Sequence, residues 1–260
     1  MKACVMIPTY NTGSLLATTV GDALAAWKDV YVVVDGSTDG SAELLDELKL
    51  ESGDRLRVIK KEKNQGKGAA ILTGIETALA DGFTHALSMD ADGQHPASSI
   101  SKFIAIGKDH PDALVLGEPV FDDSAPALRV GGRKISNWWA NLVTFWWGIH
   151  DSLFGMRLYP MEPLRHVFSS TIGARRFDFD PEVAIRLCWK GVPVINLKTP
   201  VRYLTEEEGG VSQFRYVRDN TLLTWMYIRL FFGMLLRSPA LLFRLFKGGN
   251  PLKHIDISDD

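Results

Sequence analysis

Short β-branched runs alternate with longer segments of helical spacing through the first half of the chain. ACVMI, VYVVV, LRVIK, THALSM and ALVLG predict strands, and residues 14–26, 41–50, 68–80 and 97–108 between them predict helices. Strand, helix, strand in this order implies right-handed βαβ units. The expected fold class is therefore α/β, a mostly parallel sheet with helices on both faces. The second half changes character. Residues 125–147 are basic and then Trp-rich, 179–189 predict a helix, VPVINLKTPVRYL an extended segment, and 215–246 a long apolar stretch punctuated by Arg. Without an internal repeat or a low-complexity linker, one domain with a C-terminal appendage is favoured.

Composition narrows the classes. With 260 residues, 46% hydrophobic and 23% charged, the chain can bury a full core, and disorder is excluded. A net charge of -2 provides no global field for phosphate backbones, so no nucleic-acid partner is expected. Cys4 and Cys188 lie in apolar runs without metal-binding spacing and read as core residues in a reducing compartment. The N-terminus turns polar too early for a signal peptide, which reads as a mature cytosolic start. The most apolar candidate, 135–150, is interrupted by Ser136, Asn137, Asn141 and Thr144 and falls short of the roughly 20 apolar residues a span needs. No bilayer-spanning segment is expected.

In such a sheet, ligands bind beyond the carboxyl ends of the strands. Four of those ends are unusually polar: Pro8-Thr9-Tyr10-Asn11, Asp35-Gly36-Ser37-Thr38-Asp39-Gly40, Asn64-Gln65-Gly66-Lys67-Gly68 and Asp90-Ala91-Asp92-Gly93-Gln94-His95. Each alone is a common turn or helix start. Together they carry more. Asp90 and Asp92, two apart at a strand end, can aim oxygens at one hard cation, with Gln94 and His95 close by. The loop lacks the twelve-residue calcium pattern, whereas Mg2+ or Mn2+ takes one or two carboxylates plus phosphate oxygens. Lys67 between two glycines at a helix start suits either a diphosphate oxygen or a close backbone approach. The Walker spacing is absent, which excludes a P-loop ATPase.

IPTYN, VVVDGSTDG, NQGKGAA and MDADGQH, in this order and spacing, resemble the nucleotide half of a family-two glycosyltransferase of the GT-A (Rossmann-like) fold, in the dolichyl- or polyprenyl-phosphate mannosyltransferase branch. DSLFGMR (151–157), FDPE (179–182) and GVSQ (210–213) continue the likeness, which covers about residues 3–220. The run also resembles glycosyltransferase-like proteins of bacterial aryl-polyene or xanthomonadin-type gene clusters. The resemblance implies an inverting, metal-dependent transfer from a UDP- or GDP-linked sugar to a lipid-phosphate or amphiphilic acceptor, with Mg2+ or Mn2+ as cofactor. It implies that Pro8, Tyr10, Asn11, Asp35, Gly36, Lys67, Asp90 and Ala91 line the nucleotide-sugar site, with Asp35 accepting from the base. Asp90, Asp92 and Gln94 would hold the metal. The implied division is a catalytic domain over 1–210 (nucleotide half to about 120, acceptor half beyond), amphipathic helices over 211–250, and a polar tail over 251–260. Two departures, Val34 before Asp35 and Met156 before Arg157, leave the implied functional residues in place. A catalytically weak sugar-nucleotide-binding partner of a biosynthetic complex is the alternative. A sugar-1-phosphate nucleotidyltransferase is disfavoured by the missing triphosphate loop.

Charge on the departing diphosphate calls for cations, and Arg129, Arg133, Lys134 and Arg157 are the candidates, against a merely solvated basic face. Arg133 and Arg157 fall at matching family positions. Asp151 is the candidate catalytic carboxylate: a base if the acceptor is a hydroxyl, an orienting group if it is an ionised phosphate. Glu182 reads as an Arg-positioning or helix-start charge, and His95 as a ligand or a loop-shaping residue. Four of the seven Trp (Trp138, Trp139, Trp146, Trp147) fall within ten residues. A core stripe is the plain reading; an interfacial belt beside cations is the alternative. Residues 211–250 hold six cations and one acid, Asp219. Their apolar groups, interrupted by Arg, predict amphipathic helices lying in a cytoplasmic leaflet, with Pro239 starting another segment, giving a peripheral enzyme on the inner face of the cell membrane. A homodimer built from the same surfaces is the rival.

Overall fold

The computed structural model describes residues 1–121, 127–169, 171, 173–201 and 216–252, excluding the side chains of 127–129 and 216. The expected GVSQ loop, the Arg129 side chain and nearly all of the polar tail lie outside the described residues. Seven strands form one sheet: β1 (Ala3–Thr9), β2 (Val30–Asp35), β3 (Leu56–Lys61), β4 (His85–Ser88), β5 (Leu114–Val120), β6 (Arg157–Pro160) and β7 (Val194–Pro200). Their order is β3-β2-β1-β4-β6-β5-β7, parallel except for β6, which runs antiparallel between β4 and β5. Every residue of β1 and β2 is buried, as expected of central parallel strands covered on both faces. The cationic β3 closes one edge.

The period-2 alternation of β1 and β2 feeds two cores. Cys4, Met6, Tyr31 and Val33 face α3 (Lys67–Ala80), α6 (Met161–Ser169) and α7 (Phe179–Lys190). Ala3, Val5, Ile7 and Val32 face α1 (Leu15–Ala26), α2 (Leu45–Ser52) and α4 (Ile100–Asp109). The mostly parallel α/β sheet is thus as expected. β6 and α6 are additions: RLYP is too short and mixed to register as a strand, yet it pairs on both sides.

The C-terminal half departs further from expectation. α5 (Ala127–Val143) packs beside α8, a single helix from Tyr216 to Phe246 that continues through Pro239. Proline has no N–H for the carbonyl four residues back. Ser238 Oγ supplies the missing bond, donating to Leu235 O at 2.8 Å. The expected new segment at Pro239 is therefore corrected: one helix runs through it. Val217–Phe246 is, by length and composition alone, apolar enough to cross a membrane, its most apolar 18-residue window having a mean hydropathy of 1.4, a candidate that the expectation of no such segment did not include. The arginines that break the apolar run turn back to the protein body. Arg229 pairs with buried Glu182 (2.9 Å), Arg237 lies over the Trp189 ring, and Arg244 donates to the Cys188 and Trp189 carbonyls at the end of α7. The four Trp divide between core and surface. Trp147 is buried and donates to Val192 O, whereas Trp138 and Trp146 are exposed.

Candidate active site

A cleft of about 1070 Å³ opens at the carboxyl ends of β1 and β4. This is where the sheet order reverses, with β2 on one side of β1 and β4 on the other. Pro8, Tyr10, Asn11, Asp35, Lys67, Asp90, Ala91, Asp92, Gln94 and Arg133 all line it. Asn11 braces the first loop to the second: its N–H donates to Ser37 Oγ (3.1 Å) and its Oδ1 accepts from Thr38 N (2.8 Å). Gly36 lies behind the wall, against the Lys63–Asn64 backbone.

Asp35 is almost fully buried and heavily engaged. Its carboxylate accepts from the Gln65 and Gly66 amides (2.6–3.1 Å) and faces Lys61 Nζ at 2.9 Å. It fastens the 64–66 loop to the end of β2. The next two glycines serve close packing. A Cβ at Gly68 would stand 2.0 Å from Ala174 O, and the Gly68 amide already donates to Arg175 O at 3.0 Å. Segment 174–176 therefore covers the start of α3: the glycines serve a close backbone approach, while the Lys67 side chain lines the cleft.

Lys67 Nζ sits 2.7 Å from both Asp90 Oδ1 and Asp180 Oδ2. Burial alone would lower its pKa, but the Asp180 and Asp90 charges outweigh that and raise it. The two carboxylates of the DAD loop diverge. Burial pushes Asp90 up, but Lys67 outweighs it and holds it ionised. Burial, with Asp90 beside it, pushes Asp92 up. A group disfavoured as an anion and facing a cleft is a natural cation ligand. Among the described residues no cluster of three or more His, Cys, Asp or Glu makes a cage by itself. Two carboxylates plus Gln94 fit an ion that completes its shell with phosphate and water oxygens. His95 is different. Its Nδ1 accepts from the Asp90 amide (2.9 Å), which puts the proton on Nε2, and burial lowers its pKa to about 4. It is a neutral loop-shaping residue.

Asp151 and Arg157 do not line the cleft. Asp151 Oδ1 accepts from Arg133 Nη1 (2.8 Å) and from the Leu153 and Phe154 amides (2.9 and 2.6 Å). Arg157, fully buried, donates from Nε to Phe154 O (2.6 Å) and from Nη1 to Asp180 O. One presents Arg133 to the cleft; the other fixes the first turn of α7, where Asp180 meets Lys67. Glu182 is buried between Arg186 (2.8 Å) and Arg229 (2.9 Å), an Arg-positioning carboxylate that clamps α8 to α7. Sequence reasoning missed Asp180, Arg176 and Arg218 in the cleft wall. The acidic start of α7 and the Arg run of 215–218 were visible, but nothing in their spacing tied them to the DAD loop. The farther wall comes from α5 (Arg133, Ile135, Ser136, Trp139) and α8 (Leu223, Thr224, Tyr227, Ile228), so the cleft runs onto an apolar surface with exposed Trp138, Trp225 and Phe232 nearby.

Comparison with known proteins agrees with this arrangement. Residues 4–168 match the model of glycosyl transferase family 2. The chain is 32% identical over 226 residues to a polyprenol monophosphomannose synthase of Mycolicibacterium smegmatis, covering 82% of this chain and 80% of that one. Among solved structures, glucosyl-3-phosphoglycerate synthase of Mycobacterium tuberculosis with Mn2+, UDP and phosphoglyceric acid superposes with a TM-score of 0.64 at 14% identity, over 90% of this chain and 78% of that one. The mannosyltransferase PcManGT of Pyrobaculum calidifontis with GDP-Man and Mn2+ gives 0.60 at 16% identity, over 91% and 64%. At such identities the likeness shows the fold, a GT-A-like sheet.

Proposed function

The chain belongs to glycosyltransferase family 2, and on that premise we propose that it moves a sugar from a nucleoside-diphosphate sugar to a polyprenyl phosphate or similarly amphiphilic acceptor, with inversion. The observation that carries this reading is the continuity of one cleft, from the carboxylate and lysine cluster at the strand ends to the apolar wall of α5 and α8. Pro8, Tyr10 and Asn11 receive the nucleoside. Asp90, Asp92 and Gln94 would hold Mg2+ or Mn2+, and the cation would supply neutralising charge for the departing diphosphate. Lys67, fixed between Asp90 and Asp180, adds a cation at the same end. Asp35 supports the nucleoside wall through the 64–66 loop.

An ionised phosphate acceptor needs no general base. That suits Asp151, whose Oδ1 is committed to Arg133 and two amides. Arg133, Arg176 and Arg218 line the cleft as partners for acceptor phosphate, since guanidinium forks match phosphate oxygens. The exposed apolar faces of α5 and α8 support seating on the cytoplasmic face of a membrane, where the lipid chain lies against Ile135, Leu223 and Ile228. The relative named for polyprenol monophosphomannose favours the same acceptor class. A thermal-shift panel of UDP- and GDP-sugars with and without Mn2+ tests the donor half. One nucleotide sugar should raise the melting temperature by several degrees only with the cation; no metal-dependent shift with any of them would refute it.

A further inference from the structure

A chain of hydroxyls joins α8 to the cleft. Tyr227, buried on α8, places Oη 2.6 Å from Ser136 Oγ on α5, and Ser136 Oγ lies 3.0 Å from Ser152 Oγ in the loop before β6. Ser152 donates from both Oγ (2.9 Å) and N (2.8 Å) to Asn137 Oδ1. That fixes the amide of Asn137 with Nδ2 toward Asp151 Oδ2 at 3.5 Å. Three hydroxyl protons serve these links. Ser152 spends its own on Asn137, which leaves the Ser136 proton for Ser152 and the Tyr227 proton for Ser136. Tyr227 Oη also donates to the Ser136 carbonyl at 3.0 Å, so its one proton is shared between the two Ser136 oxygens. With that sharing, every side-chain link in the series Tyr227, Ser136, Ser152, Asn137 has a donor. The series ends on Asp151, which holds Arg133.

We infer that Tyr227 is a positioning residue that ties the seating of α8 to the placement of Arg133 in the cleft. Trp225 and Phe232, exposed on α8, look outward. Support of that outer face thus bears on Arg133 through the Tyr227 phenol. The inference deepens the glycosyltransferase reading, on which its catalytic consequence rests, but its structural half can be read without turnover.

The test compares full-length wild type with Tyr227→Phe and, to guard against a folding defect, Ser152→Ala, which leaves Tyr227 in place. Hydrogen exchange is followed at the Leu153 and Phe154 amides, both of which donate to Asp151. Each variant should speed exchange there about tenfold, the cost of about one hydrogen bond, while the amides of residues 226–234 keep wild-type rates. With polyprenyl phosphate as acceptor, kcat/KM for the acceptor should fall about tenfold with the donor KM unchanged. Wild-type exchange at 153 and 154 in both variants would overturn the inference, as would equal losses toward donor and acceptor. Faster exchange in the variants alongside a wild type that turns over no nucleotide sugar would leave the relay standing and refute the glycosyltransferase reading instead.

Discussion

Gly155→Ala adds one carbon where the site has no room for it. A Cβ at Gly155 would stand 2.3 Å from Asp90 Oδ2 and 2.8 Å from Lys67 Nζ. Carbon and carboxylate oxygen come no closer than about 3.3 Å, so Asp90 must retreat by about 1 Å. The atoms in the way are ends of flexible side chains, and the Gly155 carbonyl keeps its bond from Ser88 Oγ at 2.6 Å. The fold should yield cheaply, by about 1 kcal/mol, or roughly 2–4 °C in melting temperature. Catalysis should not, because on the proposed assignment Asp90 and Lys67 serve the diphosphate end, where a 1 Å misplacement costs about a hundredfold. Steady-state turnover of the nucleotide sugar, with a melting curve on the same sample, separates the two effects. A variant that melts near wild type and loses about a hundredfold in kcat/KM supports the assignment of Asp90 and Lys67. Activity within about threefold of wild type would refute it.

Further outcomes follow from the same geometry. Asp92→Asn, which keeps shape and removes charge, should abolish the Mn2+-dependent thermal shift given by a nucleoside diphosphate; an unchanged shift would remove Asp92 from the metal site. Gly68→Ala drives a Cβ to 2.0 Å from Ala174 O, a backbone atom that cannot swing away, so urea unfolding should show a loss of about 3 kcal/mol. A loss below about 1 kcal/mol would contradict it. Glu182→Ala leaves Arg186 and Arg229 without their buried partner and should cost about 3 kcal/mol, with earlier proteolytic cleavage in α8. Unaltered stability and cleavage would mean that α8 is held by apolar packing alone.

The sheet and the cleft were legible because each strand-end loop announces itself locally: a polar cluster follows a β-branched run, and parallel topology gathers such clusters at one edge. What a carboxylate or cation does there was less legible, since that depends on partners far along the chain. Asp151 reads in sequence as either a base or an orienting group, and only the fold shows its Oδ1 taken by Arg133 and by the amides of its own turn. The glycines of NQGKG suit phosphate as well as a crossing backbone, and only the fold brings 174–176 against them. Asp180 stayed hidden because Lys67 lies 113 residues away. The α8 arginines looked like interruptions of an apolar run because their partners on α7 are invisible to periodicity.

Transfer of radiolabelled sugar into organic-soluble lipid tests the central claim most directly. The protein would be incubated with polyprenyl phosphate in vesicles, Mg2+ or Mn2+, and each of a panel of UDP- and GDP-sugars. One donor should label the lipid phase in a cation-dependent way, with the label lost in Asp92→Asn. Binding of a nucleotide sugar without any lipid-linked product, across the panel and both cations, would contradict the account.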